Sequence, residues 1–309
     1  MSNSLTDRLL SRLRLKQLQL LVAVGKHGSI LHAAREMNLS QPAATKMIKD
    51  LELDFEVPLF DRGNRGVTPT PFGTALIRQS KLIFAQISNA SQEINDLAKG
   101  NSGRVVVGTL LAASQKLLPM AIATTLKTRS NVTIRVVDGT HEILMPALRM
   151  GELDMVVGRL PTHRYRDELA QITLFSEETI LLTGARHPLA NHPVKFDDLR
   201  HFGWILPPPE TTLRRQIDQF FARQDGFIPK MIVESVSFLT NRSLLQTTDL
   251  IGIMPAHAAT LDIANGTLAR LGFPLPFGPA PVGVSYHKTT GMTPAAKAFL
   301  QALKQAVQS

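Results

Sequence analysis

In the segment QPAATKMIK, Gln41, Ala44, Thr45 and Lys49 fall at steps that share one outward side of a helix, with Lys46 at its margin. That set is suited to recognition rather than bond breaking. An amide pairs with the edge of a base, small residues allow close approach, and an ammonium meets a phosphate. An ordinary solvent-facing helix would carry more glutamate and longer side chains. Just before it, Ser40 is of the type that caps a helix, and Pro42 suits a first turn, where a missing N–H costs nothing. Ala43, Met47, Ile48 and Leu51 are left to face a core. Further on, DRGNRG reads as a tight turn that exposes Arg62 and Arg65 between two short strand-like runs, Leu59–Phe60 and Val67–Thr70.

No comparable set for catalysis appears. The 9 histidines are scattered without a metal-ligand spacing, and the 0 cysteines remove thiolate chemistry, disulfides and cysteine zinc sites together. In GNSGRVVVG the glycines precede the strand, which is the wrong order for a dinucleotide fingerprint, and no nucleophile elbow or phosphate loop is present. Neither a cofactor nor a metal is expected, and no residue is assigned a catalytic role.

The elements that must hold the polar face follow from its flanks. Leu15, Leu18, Leu21, Val22 and Val24 give a first helix that ends at Gly25–Gly28. Ser29 starts a second, whose apolar side is Ile30, Ala33, Ala34 and Met37. Asn38 tolerates the left-handed backbone of a tight helix-to-helix turn, and Leu39 plugs the core from that turn. A hairpin after the third helix would set its arginines over a flanking phosphate backbone, so the arrangement is a winged helix-turn-helix. The bland alternative is a helical hairpin that only fills a core.

Pro71 to Ala98 reads as one long helix, with Phe72, Leu76, Ile83, Ile87, Ala90, Ile94 and Leu97 in a single apolar stripe. With no second amphipathic helix nearby, that stripe calls for a partner, and the expected partner is another copy of the chain. Beyond residue 100 the pattern changes to strands alternating with helices, which predicts an α/β architecture with largely parallel sheets. The expected strands are RVVVGTL, VTIRVVDG, LDMVVGR, ETILLTG, GWILPP, MIVESV, LIGIMP and PVGVSYH.

Composition agrees without deciding. The chain has 309 residues, 44% hydrophobic, enough for more than one domain with a substantial core. Its net charge of +9 favours a polyanionic partner. No apolar run reaches the ~18 residues of a membrane span, and the N-terminus has no clean signal sequence, so a cytoplasmic protein without a membrane partner is expected.

The segments SILHAAREMNLSQPAATKMIKDLE, PLF, GVTPTPFG, GELDMVVGR and GIMP, in this order, resemble the LysR-type transcriptional regulators nearly from end to end. Within that family, RGNRGVTPTPFG and WILPPPETTLRR are similar to the branch that regulates catabolism of aromatic acids and sugars. The resemblance implies a winged helix-turn-helix at 1–70, a linker and dimerisation helix at 71–100, and an effector domain at 101–309 shaped like a type II periplasmic binding protein. That domain would have two α/β lobes, the first at about 104–174 and 275–309, the second at about 175–274, with a small molecule between them. It further implies homotetramers, built as a dimer of dimers, on double-stranded operators with an interrupted palindrome; an effector that shifts the tetramer's shape would then alter DNA bending and contact with RNA polymerase. The family's DNA-reading positions fall on Ser40, Gln41, Pro42, Ala43, Thr45 and Lys46, with Arg62 and Arg65 in the wing; Lys49 shares the outward face. The family more often has Ser at the place of Thr45 and Arg at that of Lys46. Lysine lacks the bidentate fork that reads guanine, so phosphate contact is the expected role of Lys46.

In open α/β lobes, ligands sit beyond the carboxyl ends of strands, against helix N-termini. This points to Thr109, Ala113 and Ser114 with free N–H groups of the following helix, to Thr140, to the stretch from Pro207 to Thr212, and to Ser235, Val236 and Ser237. Small hydroxyls at helix starts suit a small organic anion, and Arg159 could supply its countercharge; each of these residues could equally serve only as a cap or a structural ion pair. Two rival classes are a soluble small-molecule-binding protein and an enzyme with an accessory helical domain. The first leaves the wing without use, and the second lacks an acid–base or nucleophile constellation.

Overall fold

The computed structural model describes residues 5–63, 66–99, 102–161, 167–224, 228–289 and 291–308. The chain forms two compact units, 1–89 and 90–309.

The first unit holds α1 (Leu5–Arg12), α2 (Leu15–His27), α3 (Ile30–Glu36) and α4 (Gln41–Phe55). A hairpin of β1 (Phe60–Gly63) and β2 (Gly66–Pro69) and the start of α5 (Pro71–Lys99) follow. Local chemistry sets the breaks. Gly28, at φ 59°, ends α2, and its N–H bonds the carbonyl of Val24. The Ser29 hydroxyl then accepts the His32 N–H at 3.3 Å and starts α3. Asn38, at φ 53°, turns the chain into α4, where the Ser40 hydroxyl accepts the Ala43 N–H at 3.4 Å and Pro42 occupies the first turn. Leu20, Leu21 and Val24 of α2, Ala33 and Ala34 of α3, and Ala44, Ile48 and Leu51 of α4 make one core with Leu59 and Phe60. Burying each larger aliphatic side chain there stabilises the unit by roughly 1.5–3 kcal/mol.

The second unit begins with β3 (Ser102–Thr109), α6 (Leu111–Ser114), α7 (Leu117–Thr128), β4 (Asn131–Asp138), α8 (His141–Arg149), β5 (Met155–Arg159) and β6 (Leu169–Glu177). It continues through β7 (Thr179–Gly184), α9 (Phe196–Leu199), β8 (Gly203–Leu206), α10 (Thr212–Ala222), β9 (Met231–Glu234), α11 (Phe238–Thr247), β10 (Leu250–Pro255), α12 (Ala256–Ala264) and β11 (Leu268–Arg270). It closes with β12 (Ala280–His287) and α13 (Pro294–Ala306). Two five-stranded sheets result, in the orders β4-β3-β5-β12-β6 and β11-β7-β10-β8-β9. The chain crosses from the first sheet to the second between β6 and β7, and returns between β11 and β12. Two lobes joined by two crossings are therefore present.

The expectation of largely parallel sheets is corrected. β3 pairs in parallel with β4 and β5, and β8 does so with β9 and β10. β12 runs antiparallel to both β5 and β6, and β7 runs antiparallel to both β10 and β11. The sheets are mixed because each crossing enters a sheet from the end opposite to its helix-connected strands. Pairing with β12 also keeps β6 in the first sheet as far as Glu177, past the expected crossing near 174.

Candidate nucleic-acid interface and effector cleft

On α4, Gln41, Pro42, Lys46 and Lys49 are exposed, and Ala43 and Thr45 are half-buried. Exposed Ser40 caps the helix by accepting the Ala43 N–H, which leaves its hydroxyl proton to donate outward. Ala44, expected on the outward side, is 0% exposed. It lies one and two turns ahead of Ile48 and Leu51 on the same face, so it seats α4 on the core instead. The polar face is therefore Gln41, Pro42, Thr45, Lys46 and Lys49.

The wing is held beside this face by hydrogen bonds from other elements. The Val67 N–H bonds the carbonyl of Gly28 at 2.9 Å, tying β2 to the turn between α2 and α3. The Thr70 hydroxyl donates to the carbonyl of Pro58 at 2.7 Å and accepts the Gly73 N–H at 3.1 Å, so the end of the wing is tied to the start of α5. Arg62, paired with Val67 across the hairpin, is exposed. Arg65 lies outside the described residues.

A residue that the spacing of the sequence does not single out completes this region. Glu52, on α4, accepts the backbone N–H groups of Leu59 at 3.0 Å and Phe60 at 3.3 Å through one carboxylate oxygen. The other oxygen lies 3.7 Å from the Arg62 guanidinium. A glutamate close to a helix end gives no local signal that its partners lie seven and eight residues on. An open groove of about 530 Å³, lined by Lys49, Glu52, Leu53, Glu56, Val57 and Pro58, runs along this end of α4.

In the second unit, the candidate ligand groups are largely engaged with the protein. Thr109, the last residue of β3, is 1% exposed, and its hydroxyl lies 3.2 Å from that of Ser114. The carbonyl of Leu110 lies within hydrogen-bond distance of both hydroxyls, 3.3 Å from Thr109 and 3.2 Å from Ser114, so their two protons are shared between that carbonyl and the hydroxyl pair. Ala113 corrects the expectation of a free N–H: its methyl is in the first-lobe core, and its N–H bonds the Leu110 carbonyl at 2.9 Å. The helix after β3 is a single tight turn, so Ser114 stands at its end. Half-buried Thr140 precedes α8 and makes no side-chain capping bond.

In the second lobe, Pro207 is buried, and its carbonyl accepts from Arg214 at 3.0 Å. Thr211 rather than Thr212 caps α10, and the Thr212 hydroxyl accepts from Arg215 at 3.1 Å. The Ser235 hydroxyl accepts the Ser237 N–H at 3.0 Å, and Ser237 caps α11. Val236 between them is 51% exposed.

Arg159 stands at the first crossing. Its guanidinium donates to the Thr179 hydroxyl at 2.7 Å, from the end of β5 in one lobe to the first residue of β7 in the other. Burial pushes the Arg159 pKa down, and the charge of Glu177 opposes that. Glu177 is 0% exposed and accepts the His257 N–H at 2.8 Å, while its second oxygen meets the His257 imidazole. The Arg159 carbonyl accepts from the His141 imidazole at 2.7 Å, and burial pushes the His141 pKa down. As a countercharge for a ligand, Arg159 is already committed to the crossing. Leu111 of the first lobe packs into the second-lobe cluster with Phe238, Ala259 and Ile263, which sets the Thr109–Ser114 turn at the junction of the lobes. Among the described residues, no group of three or more acidic, histidine or cysteine side chains is arranged to hold a metal.

A helical unit carrying a wing, joined to a two-lobed α/β unit, is the architecture of a DNA-binding regulator with a ligand-binding domain. Residues 15–74 match the family model described as a bacterial regulatory helix-turn-helix protein of the lysR family, and residues 98–308 match the LysR substrate binding domain. Among relatives, the transcriptional regulator GbpR of Azospirillum brasilense is 31% identical over 96% of this chain and 87% of its own. The transcriptional regulator PcaQ of Agrobacterium fabrum is 28% identical over 96% of this chain and 95% of its own. Among solved structures, a variant of full-length OxyR from Pseudomonas aeruginosa superposes with a TM-score of 0.65 at 21% identity, over 95% of this chain and 98% of that one. CbnR in complex with its target DNA gives 0.63 at 18% identity, over 96% of this chain and 100% of that one. The chain belongs to the LysR family of transcriptional regulators: it is a DNA-binding regulator with an effector-binding domain, and its relatives are regulators rather than enzymes.

Proposed function

We propose that this regulator reads an interrupted palindromic operator with Gln41, Pro42, Ala43 and Thr45 at base edges and with Ser40, Lys46, Lys49, Arg62 and Arg65 at phosphates. The single observation that carries this is the exposed polar face of α4 with the wing strand β1 tied beside it through Glu52. The working divisions are a DNA-reading part at 1–70, a linker at 71–100 and an effector part at 101–309. Two copies associate through the exposed stripe of α5, and pairs of such dimers form a tetramer. The apolar edge of the second lobe, where Ile232 of β9 is 51% exposed and Ile228, just before that strand, is 85% exposed, supplies surface for that further association.

The effector is a small organic anion held between the lobes. Its support is Thr140, half-buried at the start of α8 and making no side-chain capping bond. Effector binding shifts the population of lobe arrangements, moves the DNA-reading dimers relative to one another and alters their contact with RNA polymerase. The protein works in the cytoplasm; among the described residues no helix is long and apolar enough to cross a membrane.

The test is binding to the DNA upstream of the chain's own gene. Arg62→Ala should weaken binding to every sequence and lower the salt slope by about one unit, while Gln41→Ala should relax base preference. Equal losses on specific and random DNA for both variants contradict the assignment. A panel of small carboxylates, each near a hundred times its dissociation constant, should yield one that raises stability by roughly 2.7 kcal/mol.

A further inference from the structure

Glu52 belongs to the DNA-reading helix, yet its carboxylate is turned to the wing. One oxygen receives two backbone N–H groups, from Leu59 at 3.0 Å and Phe60 at 3.3 Å, just where the chain enters β1. The other faces Arg62, two residues further along β1, at 3.7 Å. These two interactions differ in kind. The N–H bonds have hydrogen-bond geometry and fix the strand to the helix. The approach to Arg62 is within reach of ionic attraction but too long for a hydrogen bond. Arg62 can therefore leave without orphaning the carboxylate, which keeps both N–H donors. The side chains are 20% exposed at Glu52 and 40% at Arg62, so the charges are only partly screened from one another.

From this we propose that Glu52 is a positioning residue that also holds Arg62 in reserve, and so limits how much positive charge the wing offers to DNA of any sequence. The inference rests on the reading that Arg62 meets phosphate. On non-specific DNA, the attraction of Glu52 offsets part of what Arg62 gains at the backbone. On the operator, where the base contacts of α4 fix the register, Arg62 is brought to a phosphate and Glu52 is left with its two N–H groups. Lowering non-specific affinity more than specific affinity raises the ratio by which an operator is found among competing sites.

Glu52→Gln separates the two roles. The amide oxygen still accepts from Leu59 and Phe60, but the negative charge facing Arg62 is gone. In the full-length protein, binding to a random-sequence duplex and to the upstream DNA would be followed by fluorescence anisotropy from about 50 to 200 mM salt. The expected result is tighter binding to the random duplex, a salt slope on it steeper by a fraction of a unit, a smaller ratio of specific to random affinity, and unchanged circular dichroism. In Glu52→Gln combined with Arg62→Ala, the gain on random DNA should vanish. Glu52→Ala, which loses the N–H acceptor too, should weaken operator binding. Two results overturn the proposal while leaving the wing reading intact: an unchanged slope in Glu52→Gln although Arg62→Ala lowers it, or a gain that persists without Arg62. If Arg62→Ala itself leaves the slope unchanged, the wing reading and the proposal fall together.

Discussion

Gly73 and Ala44 illustrate how single positions in the first unit are fixed by space rather than by local preference. A Cβ built on Gly73 would stand 1.9 Å from the carbonyl oxygen of Leu59, a backbone atom that cannot swing aside. That carbonyl also accepts the Thr70 N–H at 3.0 Å, so it is pinned at the foot of the wing. Gly73→Ala is therefore expected to destabilise the protein by about 1–3 kcal/mol despite alanine's better helix propensity, read as a lower denaturant midpoint. An unchanged midpoint would mean that the wing foot yields freely. Ala44 makes the complementary point. Its type and place in QPAATK suit the edge of a groove-reading face, and only the rotation of α4 on Ile48 and Leu51 puts it inside.

At the scale of elements, α5 runs from the first unit into the second and carries an exposed apolar stripe. Phe72 is 54% exposed, Ile83 39%, Ile87 47% and Ile94 66%. At about 100° per residue these positions fall within roughly 60° of one another around the helix. Such a stripe, apolar and unpaired along one side, is stable in water only against a partner surface. Ile87→Glu should shift the full-length protein to a smaller species in sedimentation while leaving its helix content unchanged. Retention of the wild-type mass would remove α5 from the assembly surface. The strands show where local pattern fails. β6 is not legible from its sequence because only its end residues, Leu169 and Glu177, are buried and those between show no alternation, and β11 is a three-residue strand without a pattern of its own.

For the whole molecule, buried histidines in the effector domain link its stability to pH. Burial holds the pKa of His141 and of His187 below the ordinary imidazole value of 6.5. The unfolded chain therefore binds protons first as the pH falls through 6.5, and stability present above that value is lost toward the lower folded-state pKa values. Asp154 acts in the opposite sense at lower pH. Its pKa is raised by burial from 3.8, so its contribution is present in acid and is lost as the pH rises through the folded-state value. Denaturant midpoints should then fall between about pH 7 and 5, where the histidines dominate, and His141→Gln, which can still donate to the Arg159 carbonyl, should lessen that fall. A pH profile identical to wild type would show that His141 is not buried as a neutral ring.

The sequence by itself determined the helix-turn-helix with its wing and most of the chemistry of the reading face. Caps, turns and apolar periodicity act over a few residues, and Ser29, Asn38, Ser40 and Pro42 carry those signals locally. It also marked the change from helical unit to α/β unit near residue 100, because period and β-branching shift there together. Tertiary structure alone decided what the long-range partners do. The direction of β12 and β7, the burial of Ala44, the commitment of Arg159 to Thr179 and Glu177, and the grip of Glu52 on the wing all depend on atoms that the chain brings together from elsewhere. Local spacing encodes which groups a residue can offer; whether those groups remain free for a ligand or for DNA is settled by which neighbours the fold sets against them.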